Sequence, residues 1–140
     1  MALASISVVT LGVSNLDSSR RFYGEGFGWT PVFANDEILF FQMNGLVLGL
    51  WLAEKLAEDM AREPAPPGSV SLAHNVADQD SVERLMNRLV AHGGTLFRAA
   101  DAPPQGGYRG YVADPDGHSW EIAYNPAWPI DANGHVTFAT

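Results

Sequence analysis

The sequence predicts an α+β fold made of two βαβββ modules, and three observations carry that prediction. A strand, a helix and three further strands are readable from Ile6 to Ala53, and the same order recurs from Val70 to Tyr124. The stiff stretch Pro64-Ala-Pro-Pro-Gly68 divides the two halves. The modules cover about residues 1–62 and 69–126, with a linker at 63–68 and a C-terminal tail at 127–140. A length of 140 residues suits one domain or two small modules that share a core.

In the first module, Ile6 to Val13 is β-branched and apolar and reads as a strand. Asn15 and Asp17 offer N-cap side chains. Leu16, Ser19, Phe22 and Tyr23 then recur at helical spacing until Gly24 to Gly28 ends the helix. Trp29 to Phe33 and Ile38 to Met43 read as strands, Asn44-Gly45 as a hairpin turn, and Leu46 to Ala53 as the fourth strand. Residues 54–63 suit a short surface helix.

The second module repeats this order. Val70 to Val76 is a strand, and Asp80 with Glu83 resembles a capping box. Val82, Leu85, Met86, Leu89 and Val90 give one apolar helix face, which Gly93-Gly94 ends. Thr95 to Arg98, Arg109 to Ala113 and Ser119 to Tyr124 supply three strands. Setting Val13 over Val76, and Asn44-Gly45 over Asp116-Gly117, brings the halves into register.

Composition excludes several functions. With 16 acidic and 8 basic residues the net charge is −8, and no Lys/Arg run could track phosphates, so neither nucleic acid nor an anionic membrane is an expected partner. The absence of cysteine removes disulfides, thiolate catalysis and Cys-ligated metal. No signal peptide is indicated and the longest apolar run is too short for a bilayer span, so a cytoplasmic location is expected.

The pieces Leu11-Gly-Val-Ser-Asn-Leu-Asp17 with Arg21-Phe-Tyr23, Val76-Ala-Asp78, and Asp114-Pro-Asp-Gly-His-Ser-Trp-Glu121 followed by Pro126 resemble the vicinal oxygen chelate superfamily. That superfamily contains glyoxalase I, bleomycin- and fosfomycin-resistance proteins and extradiol dioxygenases. The resemblance implies that the sheets form a cup or partial barrel with helices outside, and that the chain is a homodimer. In metal-using members the first and last strand of each module supply a ligand. Those positions fall here on Val8, Ser71, Gly49 and Glu121. Only Glu121 is a competent donor, whereas a catalytic divalent ion normally takes at least three protein ligands. No metal ligands and no cofactor are therefore expected.

The expected function is small-molecule binding of the glyoxalase/bleomycin-resistance kind, with the ligand held around Glu121. The alternative is a lyase, isomerase or dioxygenase of glyoxalase type that uses Glu121 with other metal ligands or with none. Glu121 lies opposite the apolar stripe Trp120, Ile122 and Tyr124, and it is the best candidate for a catalytic residue. Trp51 is expected to form an aromatic wall beside space left by Gly49. Ser71, Asn75, Arg109, Tyr111 and Gln42 complete the candidate ligand-binding set, with Arg109 free to hold a ligand carboxylate or to pair with an acidic neighbour. His74 is expected in the layer under the second helix, and His118 at the turn in an exposed or structural role.

Overall fold

In the computed structural model, which describes residues 1–138, two four-stranded mixed sheets and three helices form an open, cup-like two-module α+β fold with no closed barrel. The last two residues of the predicted tail, 139 and 140, lie outside the described residues. The first sheet orders its strands β1 (Val8–Val13), β4 (Val47–Leu52), β3 (Ile38–Gln42) and β2 (Phe33–Ala34). The second orders β5 (Ser71–Val76), β8 (Ser119–Tyr124), β7 (Tyr108–Ala113) and β6 (Thr95–Asp101). The first strand of each module runs parallel to the last, and the other pairs are antiparallel. The ladders are equivalent: Thr10 pairs with Gly49 as Ala73 pairs with Glu121, so Gly49 and Glu121 occupy matching positions.

Two asparagine or aspartate caps start the principal helices. Asn15 accepts from the Ser18 N–H ahead of α1 (Leu16–Ser19), and Asp78 accepts from the Ser81 N–H ahead of α3 (Gln79–Ala91). The cap of α3 is therefore Asp78, two residues before the predicted Asp80, which already lies within the first turn. The first helix ends within the predicted Gly24–Gly28 stretch, at Gly26. It continues as a π-helix over Arg20–Gly26, with the Phe27 N–H reaching the Phe22 carbonyl five residues back. That wider turn brings Phe27 and Trp29 back onto the core, where their rings stack at 4.1 Å, and so Trp29 is not part of a strand. Strand β2 is accordingly short. Strand β6 runs three residues beyond Arg98 because bulges keep it paired with β7 as far as Asp101. The surface helix α2 spans Ala53–Met60 and ends at Ala61 in the left-handed conformation, short of the predicted residue 63. Among the described residues no helix is long and apolar enough to cross a membrane.

The helix-facing sides of both sheets bury a single core. Leu11, Val13, Leu39, Phe41, Leu48 and Leu50 from the first sheet join Phe22 and Tyr23, while Val112, Trp120 and Ile122 from the second lie with Val82, Met86 and Leu89 of α3. Val90, assigned to that apolar face, is exposed instead.

The turn Asp114–Trp120 locks the modules together. Asp114 is buried, and its carboxylate accepts from the Tyr23 hydroxyl (2.7 Å) and from the backbone N–H groups of Asp116 and His118 (2.9 Å each). The Tyr23 hydroxyl in turn accepts from the Trp120 indole at 3.0 Å. Asp116 accepts from the Ser14 N–H, and His118 donates to the Gly12 carbonyl at 2.7 Å, so His118 is a structural residue. Gly117 makes the turn possible, with φ of +96°.

Gly94 sits where the end of α3 meets both modules. A Cβ there would lie 2.7 Å from Val112 Cγ1, 2.8 Å from the Leu89 carbonyl oxygen and 2.9 Å from Phe22 Cε1. One of these is backbone, so relief requires the helix end to shift. Gly94→Ala is expected to lower the unfolding free energy by about 2 to 3 kcal/mol, measured by urea denaturation.

Candidate functional site

Strand alternation sends Glu121 of β8 away from the core, onto the outer face of the second sheet with Ser71 and Asn75 of β5 and with Tyr111 and Arg109 of β7. Tyr111 pairs directly across from Glu121, and its hydroxyl donates to Glu121 Oε1 at 3.2 Å. Burial first, then the carboxylate charge beside it, raises the Tyr111 pKa above its ordinary 10.0, so the phenol stays protonated and donating at neutral pH. Arg109 takes the ion-pair option: it binds Asp101, which Arg98 also reaches at 3.3 Å. Hydrogen bonds from Arg98 and Arg109 hold the Asp101 carboxyl below its ordinary range. This outer face thus carries a continuous polar row from Asp101 through the two arginines to Tyr111 and Glu121. It can accept a hydrogen bond from a ligand hydroxyl or ammonium at Glu121, beside a cationic patch.

The other two predicted residues belong to the first sheet. Trp51 lies on its outer face, where the indole N–H donates to Glu37 Oε2 at 3.0 Å. Gln42 turns its amide to the hairpin carbonyls of Met43 and Leu46, at 2.8 and 3.3 Å. The structure therefore gathers Glu121, Tyr111, Arg109, Ser71 and Asn75 on one sheet and leaves Trp51 and Gln42 on the other. The space expected beside Gly49 is filled: a Cβ at that position would lie 3.1 Å from the Phe40 ring and 3.3 Å from Thr10 Oγ1. Phe40 and Asp101 were missed from the sequence. Alternation along Ile38–Gln42 could have found Phe40, since it faces opposite to Leu39 and Phe41, whereas Asp101 reaches Arg109 only through the β6 bulges.

His74 also departs from expectation. It does not pack under α3 but reaches the seam between modules, where its ring meets Phe27 and Trp29 edge-on at 5.6 and 6.0 Å. Burial lowers its pKa below the ordinary 6.5 and keeps the imidazole neutral.

A divalent ion of the kind implied by the superfamily finds a poor donor set here. Val8 and Gly49 carry no donor atom, and the place of a Gly49 side chain is taken by Phe40. Among the described residues no three His, Cys, Asp or Glu side chains converge. The residues at the four ligand positions do not fit the metal.

Comparison with known proteins follows this geometry. A glyoxalase-related enzyme from Fulvimarina pelagi is 61% identical and superposes with a TM-score of 0.96, covering 99% of this chain and 100% of that one. A lactoylglutathione lyase from Agrobacterium tumefaciens shares the fold at a TM-score of 0.69 and 21% identity, over 89% of this chain and 96% of that one. The metallothiol transferase FosB of Lysinibacillus sphaericus (strain C3-41) is 26% identical over 122 residues, which is 87% of this chain and 83% of that protein. The profile of the Glyoxalase/Bleomycin resistance protein/Dioxygenase superfamily matches residues 5–122, and the chain belongs to that superfamily.

Proposed function

We propose that this protein binds a small molecule on the open sheet face around Glu121, without a divalent metal, as a cytoplasmic homodimer. One observation carries the reading: of the four positions that hold metal in metal-using relatives, only Glu121 bears a competent donor, Ser71 offering just a neutral hydroxyl, and that carboxylate stands on an open sheet face, hydrogen-bonded to Tyr111. Its ligand chemistry is a hydroxyl or a cation, which an acidic chain of net charge −8 also attracts. The homodimer is supported by the half-exposed apolar side chains of Val8, Phe33, Leu96 and Phe97 on the two sheets, which a second copy can cover.

A second reading is catalytic: a lyase, isomerase or dioxygenase of glyoxalase type in which Glu121 serves as base or ligand. The description of the Fulvimarina pelagi protein as a glyoxalase-related enzyme favours it.

One experiment separates the two. Protein purified without tag or chelator is analysed for metal. It is then titrated with the glutathione adduct of methylglyoxal, catechol, an epoxide antibiotic and metal-free bleomycin. Sequestration predicts substoichiometric metal, binding without turnover, and about tenfold weaker binding in Glu121→Gln. Tightly bound zinc, nickel, iron or manganese at one ion per chain, or turnover that vanishes in Glu121→Gln, establishes the catalytic reading instead.

A further inference from the structure

The seam between the modules contains a half-open pocket of about 200 Å³ lined mostly from the core side of the sheets, with Ala73, the cross-strand partner of Glu121, also in its lining. On strand β5, His74 and Leu72 point to the pocket side, while Ser71 and Asn75 point to the Glu121 side. Leu48, Met43 and Leu46 of the first module close one wall, and Trp29 and Trp120 supply flat aromatic surfaces.

Among the lining side chains His74 alone offers a nitrogen acceptor, the tryptophans being donors only, and the Trp120 N–H is already given to Tyr23. Edge-on contacts with Phe27 and Trp29 orient the imidazole, and no described residue gives the ring a hydrogen bond. A neutral imidazole carries one acceptor nitrogen and one N–H, so a ligand hydroxyl that donates finds its side-chain acceptor at His74 in a largely apolar space. The volume sets the size of the part of a guest that the pocket encloses. It falls below the roughly 300 to 1,000 Å³ typical of drug-sized ligands, but exceeds the roughly 150 Å³ that suffices for benzene. Trp29 and Trp120 are inclined at 63°, so a ring stacked on one presents its edge to the other, an arrangement that suits a planar ring better than an aliphatic chain of equal volume.

From these features we infer that the seam cavity is a second binding site, which takes a single-ring aromatic carrying a hydroxyl, with the hydroxyl donating to His74. This site is independent of the reading given for Glu121. Filling it places the ring between residues of both modules, and so ties ligand occupancy to the module joint.

The four tryptophans make the site readable. Protein labelled with 5-fluorotryptophan gives one ¹⁹F resonance for each, assigned by single Trp→Phe variants, and phenol is titrated against toluene, which lacks the hydroxyl. Phenol is expected to move the Trp29 and Trp120 resonances saturably and to leave Trp51 and Trp128 in place. It should bind about tenfold more tightly than toluene, as one added hydrogen bond in an apolar site provides. His74→Leu should erase that preference while toluene still binds, and Leu46→Phe, which narrows the cavity at its half-exposed rim, should weaken both ligands. The inference is overturned if phenol shifts Trp51 instead, if neither ligand saturates, or if wild-type protein binds the two equally. Should His74→Leu fail to fold, the wild-type comparison and Leu46→Phe still decide.

Discussion

Asp114→Ala is expected to lower the unfolding free energy by about 4 kcal/mol. The substitution removes the acceptor for three donors at once: the Tyr23 hydroxyl and the N–H groups of Asp116 and His118. Each buried donor left without a partner costs about 1 to 3 kcal/mol. Denaturant unfolding at neutral pH measures the loss, and a change below about 1 kcal/mol would show that water replaces the carboxylate. Asp114 also gives the stability a pH dependence. Burial, only partly opposed by the Tyr23 hydrogen bond, raises its folded-state pKa above the ordinary 3.8. Between those two values the folded state binds more protons than the unfolded state, so this group's contribution falls as pH rises through that window. Asp114→Asn does not titrate there. The stability of wild type minus that of Asp114→Asn should therefore be greatest near pH 3 to 4 and decline towards neutrality. A difference that rises with pH would contradict the assignment.

Phe22→Ala should cost a similar amount, about 4 kcal/mol, for a different physical reason. Phe22 is fully buried and stands edge-on to both Tyr23 and Phe27, at 4.8 and 5.7 Å. Close packing at Gly94, where a Cβ would come within 2.9 Å of the Phe22 ring, leaves no side chain free to collapse into the vacated volume. The cavity term adds to the lost transfer term. Phe22→Leu should recover roughly half of the loss, and the denaturation midpoints of the two variants check this.

Much of the fold was legible because local chemistry and tertiary packing agree. Asn15 reads as a cap and acts as one, and Gly45 and Gly117 sit at positive φ in the two hairpins that set the internal register. The failures came where packing overrides local pattern. Trp29 looks like the start of a strand, yet the π-helix delivers it to the aromatic cluster, because burying that indole against Phe27 and Trp120 outweighs the ladder bonds of one residue. Strand faces were also legible: alternation set Glu121 opposite Trp120, Ile122 and Tyr124, as the ladders have it. What alternation cannot give is contact between distant elements. The Phe40 ring over Gly49, the Asp101 partner of Arg109 and the placement of His74 at the seam all depend on how sheets and loops meet.

The bonds that close the module joint span nearly the whole chain: Tyr23 to Asp114, Tyr23 to Trp120 and Ser14 to Asp116 are separated by 91, 97 and 102 residues. During synthesis at about 5 to 20 residues per second, the aromatic face of the first module therefore waits roughly 5 to 20 s for its partner turn to be made. In that interval the same face can be met by the finished second module of a neighbouring chain.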